Sequence, residues 1–170
     1  DGEFLLAVSD ILYRGGGDHF YRLIVSDRPH VDFVYPPAGE PGSTQQFTLY
    51  GRNLPGGVLD ESSQIRGHAL ETVQVEVSLP EAAATPPRFH PGQPRQGLLP
   101  GFDYKLKDAN SVRIGFATAS VVTESAEDSV QQISVPSEVA GRFNVHDDED
   151  VFRFLTVKDT TYWIEAIADR

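Results

Sequence analysis

Short apolar runs with a period of two recur along the chain. Val73, Val75, Val77 and Leu79 alternate with Gln74, Glu76 and Ser78, the cleanest case. Such alternation marks a strand with one buried and one wet face. Phe47 and Leu49 oppose Thr48 and Tyr50 in the same way, and Val31, Phe33 and Tyr35 are read as one face against Asp32 and Val34. Pro36-Pro37 ends that first strand because proline cannot donate to a ladder. Gly39 to Gly42 and Gly51-Arg52-Asn53-Leu54 are turn signals, with Asn53 placed to bond nearby backbone. Residues 55–70 carry a weaker pattern, with a turn at Pro55-Gly56-Gly57 and a short strand or irregular crossing at Gln64 to Gly67.

The flanks predict further strands. Phe4, Leu6 and Val8 share a face, and Phe20, Arg22 and Ile24 oppose Tyr21, Leu23 and Val25. Val112, Ile114 and Phe116 form another face, and Gln132 to Val135 reads as a short strand. Residues 151–156 and 162–167, joined by Lys158-Asp159-Thr160, predict a hairpin. Between them, six prolines in the span Pro80 to Pro100 exclude helix and central strand, so this is a linker or long surface loop. The expected fold class is all-β, with immunoglobulin-like antiparallel β-sandwich modules.

Composition narrows the function. Twelve prolines and fifteen glycines suit turns and not long helices. The absence of cysteine removes disulfides and thiolate metal sites. A formal charge of −11 without a basic run disfavours phosphate backbones, so nucleic acid is not an expected partner. No apolar stretch is long enough for direct membrane insertion as a helix. The chain starts at Asp1 and runs into strand-like sequence at both ends, so a piece of a longer protein is expected.

Candidate chemistry is sparse. The turn Asp147, Asp148, Glu149 and Asp150 is the best cation candidate, because calcium takes several hard oxygens at short spacing. Asp18, in the Gly15-Gly16-Gly17 loop, joins it if the two ends pair. A solvated turn is the plainer reading of this cluster. His19, His30, His68, His90 and His146 show no metal-ligand spacing, and there is no Gly-x-Ser-x-Gly elbow, so no catalytic residue is nominated. Trp163 and Tyr162 are candidate ligand contacts if they stand exposed; core packing is the commoner fate of strand aromatics.

Two resemblances add to this. Pro29 to Leu54, with Pro36, Pro37, the Gly39 to Gly42 turn and Gly51-Arg52-Asn53-Leu54, resembles the start of an IPT/TIG domain, which implies an immunoglobulin-like fold over about residues 29–86. Val135-Pro136, Gly141-Arg142-Phe143, Asp148 to Phe154 and Tyr162 to Ala166 resemble the opening half of a bacterial pre-peptidase C-terminal (PPC) domain. Gly2 to Val8, Asp10 and Tyr21-Arg22-Leu23 resemble its closing half. Such alternation is similar to large secreted or surface proteins of planctomycete-type bacteria. The resulting division is residues 1–28 as closing PPC-like strands, 29–86 as the IPT/TIG-like module, 87–130 as linker and additional strands, and 131–170 as opening PPC-like strands. Residues 1–28 either pair with 131–170 to rebuild one sandwich, the central module being an insertion between them, or belong to one extended sheet system or pair between molecules. The resemblances imply an extracellular or cell-envelope location.

The function expected is a non-catalytic structural or binding module, not an enzyme. Its partners are neighbouring domains of the parent chain and a protein or glycan ligand, and its cofactor is none or calcium. The alternatives are a carbohydrate-binding module, calcium-assisted, and a fragment of a secreted hydrolase.

Overall fold

The computed structural model describes residues 2–12, 15–81, 100–125, 127, 129–144 and 146–168. The protein is all-β, with several sheets. Strands β1 (His30–Tyr35), β3 (Thr44–Arg52), β4 (Val58–Ile65) and β5 (His68–Ser78) form a four-stranded antiparallel sheet in the order β1-β3-β5-β4. Strands β2 (Ala38–Gly39), β6 (Gly101–Lys105) and β7 (Ser111–Phe116) form a second sheet in the order β2-β7-β6.

The two sheets meet at one core. Val31, Val34, Phe47, Leu49, Val77 and Leu79 from the first side pack with Ala109, Ile114 and Phe116 from the second. Residues 101–116, outside the 29–86 span, therefore supply most of the second layer of the central module. After the cis Tyr35-Pro36 peptide, β1 gives way to β2, which leaves the first sheet and pairs in parallel with β7. One side chain ties the hairpin turn of β6 and β7 to β1: Asn110 Oδ1 accepts the Val31 amide at 2.7 Å and its Nδ2 donates to the Val31 carbonyl at 2.8 Å. The Asp108-Ala109-Asn110 turn thus also carries a strand clamp.

The alternation of β3 and β5 is as expected, with Phe47, Leu49 and Val77 buried and Gln74, Glu76 and Ser78 turned to the more open face. That of β1 is not. A bulge lies between Val31 and Phe33, so Val31 opposes Gly51, Phe33 opposes Tyr50 and Val34 opposes Leu49. One extra residue moves every later side chain to the other face. Val31 and Val34 enter the core, whereas Phe33 and Tyr35 move to the outer face expected for Asp32 and Val34. Arg52 holds the bulged Asp32 with a 2.6 Å ion pair.

The Gly51 to Leu54 turn works as its residues predict. Asn53 adopts a φ of 55° and donates to the Asp27 carbonyl, and Leu54 is buried in the core. The uncertain stretch 55–70 holds β4, which joins β5 through Arg66 and Gly67, both at positive φ as a tight hairpin turn demands. Its polar run Asp60-Glu61-Ser62-Ser63 hid the strand. A polar, bulged edge also protects against pairing with another chain.

Outside this body the expected strands shrink. Val121–Thr123 (β8) pairs in parallel with Glu138–Ala140 (β10), and Gln131–Gln132 (β9) pairs in parallel with Phe152–Arg153 (β11). The turn at Lys158-Asp159-Thr160 forms, with the Thr160 amide donating to the Val157 carbonyl, but residues 162–167 form no strand, so the predicted hairpin is absent. The described parts of 2–28 likewise contain no strand. Phe4, Phe20, Leu155 and Ile164 stand exposed. The physical reason is shared: a lone pair of strands is marginal in water without a third strand or a packed layer. The linker prolines Pro86, Pro87, Pro91 and Pro94, with His90, lie outside the described residues.

Candidate functional site

The residues expected to bind a cation do not converge. His146 Nδ1 and Asp147 Oδ2 lie 2.8 Å apart, both largely exposed. Asp148 Oδ2 accepts the Asn144 amide at 2.7 Å, which closes the turn on itself. Glu149 is exposed. Asp150 shares a hydrogen bond with Glu124 and feels the charges of Glu124 and Asp148. Asp18 is bonded to its neighbour His19 in a local turn. Among the described residues, no group of three or more His, Asp or Glu is placed to hold a metal ion.

Of the two aromatic candidates, Tyr162 is half-buried against Phe154, and its hydroxyl accepts the Val157 amide at 2.7 Å. Trp163 is 80% exposed. Its exposure is shared by Leu155 and Ile164, both at 82%, and so belongs to the whole segment and not to one stacking platform. An open depression of about 440 Å³ lies elsewhere, lined by Glu40, Pro41, Ala117 to Ser120 and Pro136.

The most organised polar constellation lies on the outer face of the four-stranded sheet. The β1 bulge brings Phe33 onto Tyr50, with stacked rings 4.5 Å apart. The Arg142 guanidinium covers this pair, 4.6 Å from the Tyr50 centroid, 5.5 Å from Phe33 and 5.9 Å from Tyr35. It also donates to Ser63 Oγ at 3.0 Å; Ser63, in the bulge of β4, is only 3% exposed. A cation over an aromatic face contributes about 0.5 kcal/mol when exposed and about 2 kcal/mol when desolvated.

Glu124 backs the arginine from behind. Its Oε2 accepts the Arg142 amide at 2.6 Å, its Oε1 accepts from Asn144 Nδ2 at 3.2 Å, and its own amide donates to the Ala140 carbonyl. The Tyr35 hydroxyl donates to the same Ala140 carbonyl at 2.9 Å. Burial raises the Tyr35 phenol above its ordinary value, Glu124 adds to the rise and Arg142 opposes it. On the far side, Asp60 lies below the usual carboxylate range, chiefly through the Ser62 hydroxyl, then Ser63, with Arg142 a smaller influence.

Asp150 shifts the other way. Desolvation raises it first, then the Glu124 and Asp148 charges and a hydrogen bond with Glu124. Folding therefore favours its protonated form. At and below the unfolded carboxylate range, about pH 4, that preference is fully expressed; it is lost as pH rises through the raised folded value. Asp150→Asn removes the charge and is expected to be the more stable chain at neutral pH, by no more than a few degrees in Tm, the advantage vanishing towards pH 4. Thermal melts of both chains across pH 4 to 8 check this, and a lower Tm for the variant at pH 7 contradicts it.

Sequence reasoning named Arg142 only within a family motif and missed Ser63, Glu124 and the Phe33–Tyr50 pair as its partners. Arginine in Gly141-Arg142-Phe143 carries no local sign of its seat, because the sheet it covers lies about ninety residues earlier and presents these rings only after the bulge. No family model, curated protein or solved structure matches the chain.

Proposed function

We propose that this chain is a non-catalytic module of a larger secreted or cell-surface protein, an immunoglobulin-like β-sandwich of the IPT/TIG kind that spaces and orients PPC-like neighbours. The observation that carries this reading is a contrast within the chain. Residues 30–79 and 101–116 share one core between two sheets. The described residues before 29 and after 143 keep the apolar alternation of strands yet leave most of those side chains in water; Phe152, Phe154 and Tyr162 are half-buried, and the one strand there is the short Phe152–Arg153 pair with Gln131–Gln132. Strand sequence that is largely unpaired is what portions of adjoining sandwiches offer when their remaining strands are elsewhere. Arg142 and Glu124 add a built junction between the sandwich and the C-terminal segment.

Limited proteolysis and thermal melting test this together. Trimming is expected before about residue 29 and after about residue 143, leaving a folded body that melts cooperatively. Protection of either terminal segment in the isolated chain would count against the modular reading. The Tm is expected to stay unchanged with calcium and with a panel of soluble glycans, since only a ligand that prefers the native state raises it. A calcium-dependent rise abolished by Asp148→Asn, or a glycan-dependent rise abolished by Trp163→Ala, would replace this reading with a carbohydrate-binding module.

A further inference from the structure

We infer that Arg142 is a latch that fixes the direction in which the chain leaves the sandwich, so that the junction is stiff and not a free tether. Three independent attachments meet within residues 140–142. The Ala140 carbonyl is held by the Tyr35 hydroxyl and the Glu124 amide. The Arg142 amide is held by the Glu124 carboxylate. The Arg142 side chain lies across Tyr50 and Phe33 and reaches Ser63 in the bulge of the edge strand. These partners come from β1, β3, β4 and the segment after β8, so a swing of the outgoing chain breaks contacts to several elements at once.

Both bulges serve this seat. The one in β1 turns Phe33 and Tyr35 outward, and the one in β4 presents a buried hydroxyl instead of a ladder group. A planar guanidinium can stack on a ring and donate sideways in the same pose; an ammonium is a point charge and does not reproduce this. The residue is thus a positioning device whose chemistry is specific to arginine.

The purpose of such a latch rests on the spacer reading above, but its test does not. The chain has no cysteine, so Lys107→Cys and Phe143→Cys, both at exposed positions, admit a pair of spin labels into the full chain. Pulsed dipolar spectroscopy is expected to show one narrow distance distribution. Arg142→Ala should broaden it about twofold or more, and Arg142→Lys should fall between. A broad distribution in the parent, or an equally narrow one in Arg142→Ala, overturns the latch. Should Arg142→Ala fail to fold, Ser63→Ala and Tyr35→Phe each remove one attachment; widths unchanged in both overturn it equally. A stiff junction in a chain that also binds calcium or glycan would sink the spacer reading and leave the latch standing.

Discussion

Gly51→Ala is expected to cost the chain about 3 kcal/mol or more, enough to unfold a marginal module. Gly51 lies on β3, which is flanked by β1 and β5. A methyl group there would overlap the His30 carbonyl oxygen and stand 3.0 Å from the His30 carbonyl carbon and from Val31 Cα. All three obstacles are backbone, so no rotamer change relieves them. Strand β1 would have to move away, which opens the Val31–Gly51 pair and strains the Asn110 clamp on Val31. Urea denaturation checks this: the midpoint should fall with the slope unchanged. Gly17→Ala is the control, because nothing lies within 4 Å of the position its methyl would take, and its midpoint should match the parent's. Equal midpoints for the two variants would show that β1 does not need to approach so closely.

Phe47→Ala is expected to cost about 3–5 kcal/mol, the range for removing a buried aromatic ring and leaving a cavity. Phe47 is 1% exposed at the junction of both sheets. Trp163→Ala removes a larger side chain yet should change stability by no more than about 0.5 kcal/mol, as for a surface position. The comparison locates the stability of the 170-residue chain in the sandwich body. Thermal melts read it directly, and a loss for Trp163→Ala comparable to that of Phe47→Ala would place a second packed core in the C-terminal segment. The same reasoning bears on ligand contact: a tryptophan whose loss costs no stability remains free for a partner, whereas Tyr162 already spends its hydroxyl on Val157.

The candidate site divides along the same line as the fold. The acidic turn was visible because its residues are consecutive, and such a run advertises charge wherever it lies. Sequence does not say where the carboxylates point. In the structure Asp148 turns to the Asn144 amide and Asp150 to Glu124, so the consecutive carboxylates did not become one ligand set for a metal ion. The Arg142 seat is the reverse case, with partners at positions 33, 35, 50, 63 and 124 that no local pattern links.

By itself the sequence determined the all-β class, the strands β3, β5 and β7 and the turn at Asn53, because each depends on local periodicity or on one residue's backbone preference. Only the tertiary structure decided the rest. The bulge at Asp32 reversed the faces of Phe33, Val34 and Tyr35, since one added residue in a period of two inverts everything after it. Partners distant in the chain decided that residues 101–116 complete the core while residues 162–167 form no strand. Alternation states which side of a strand is apolar; whether that side is covered depends on another part of the chain arriving to cover it.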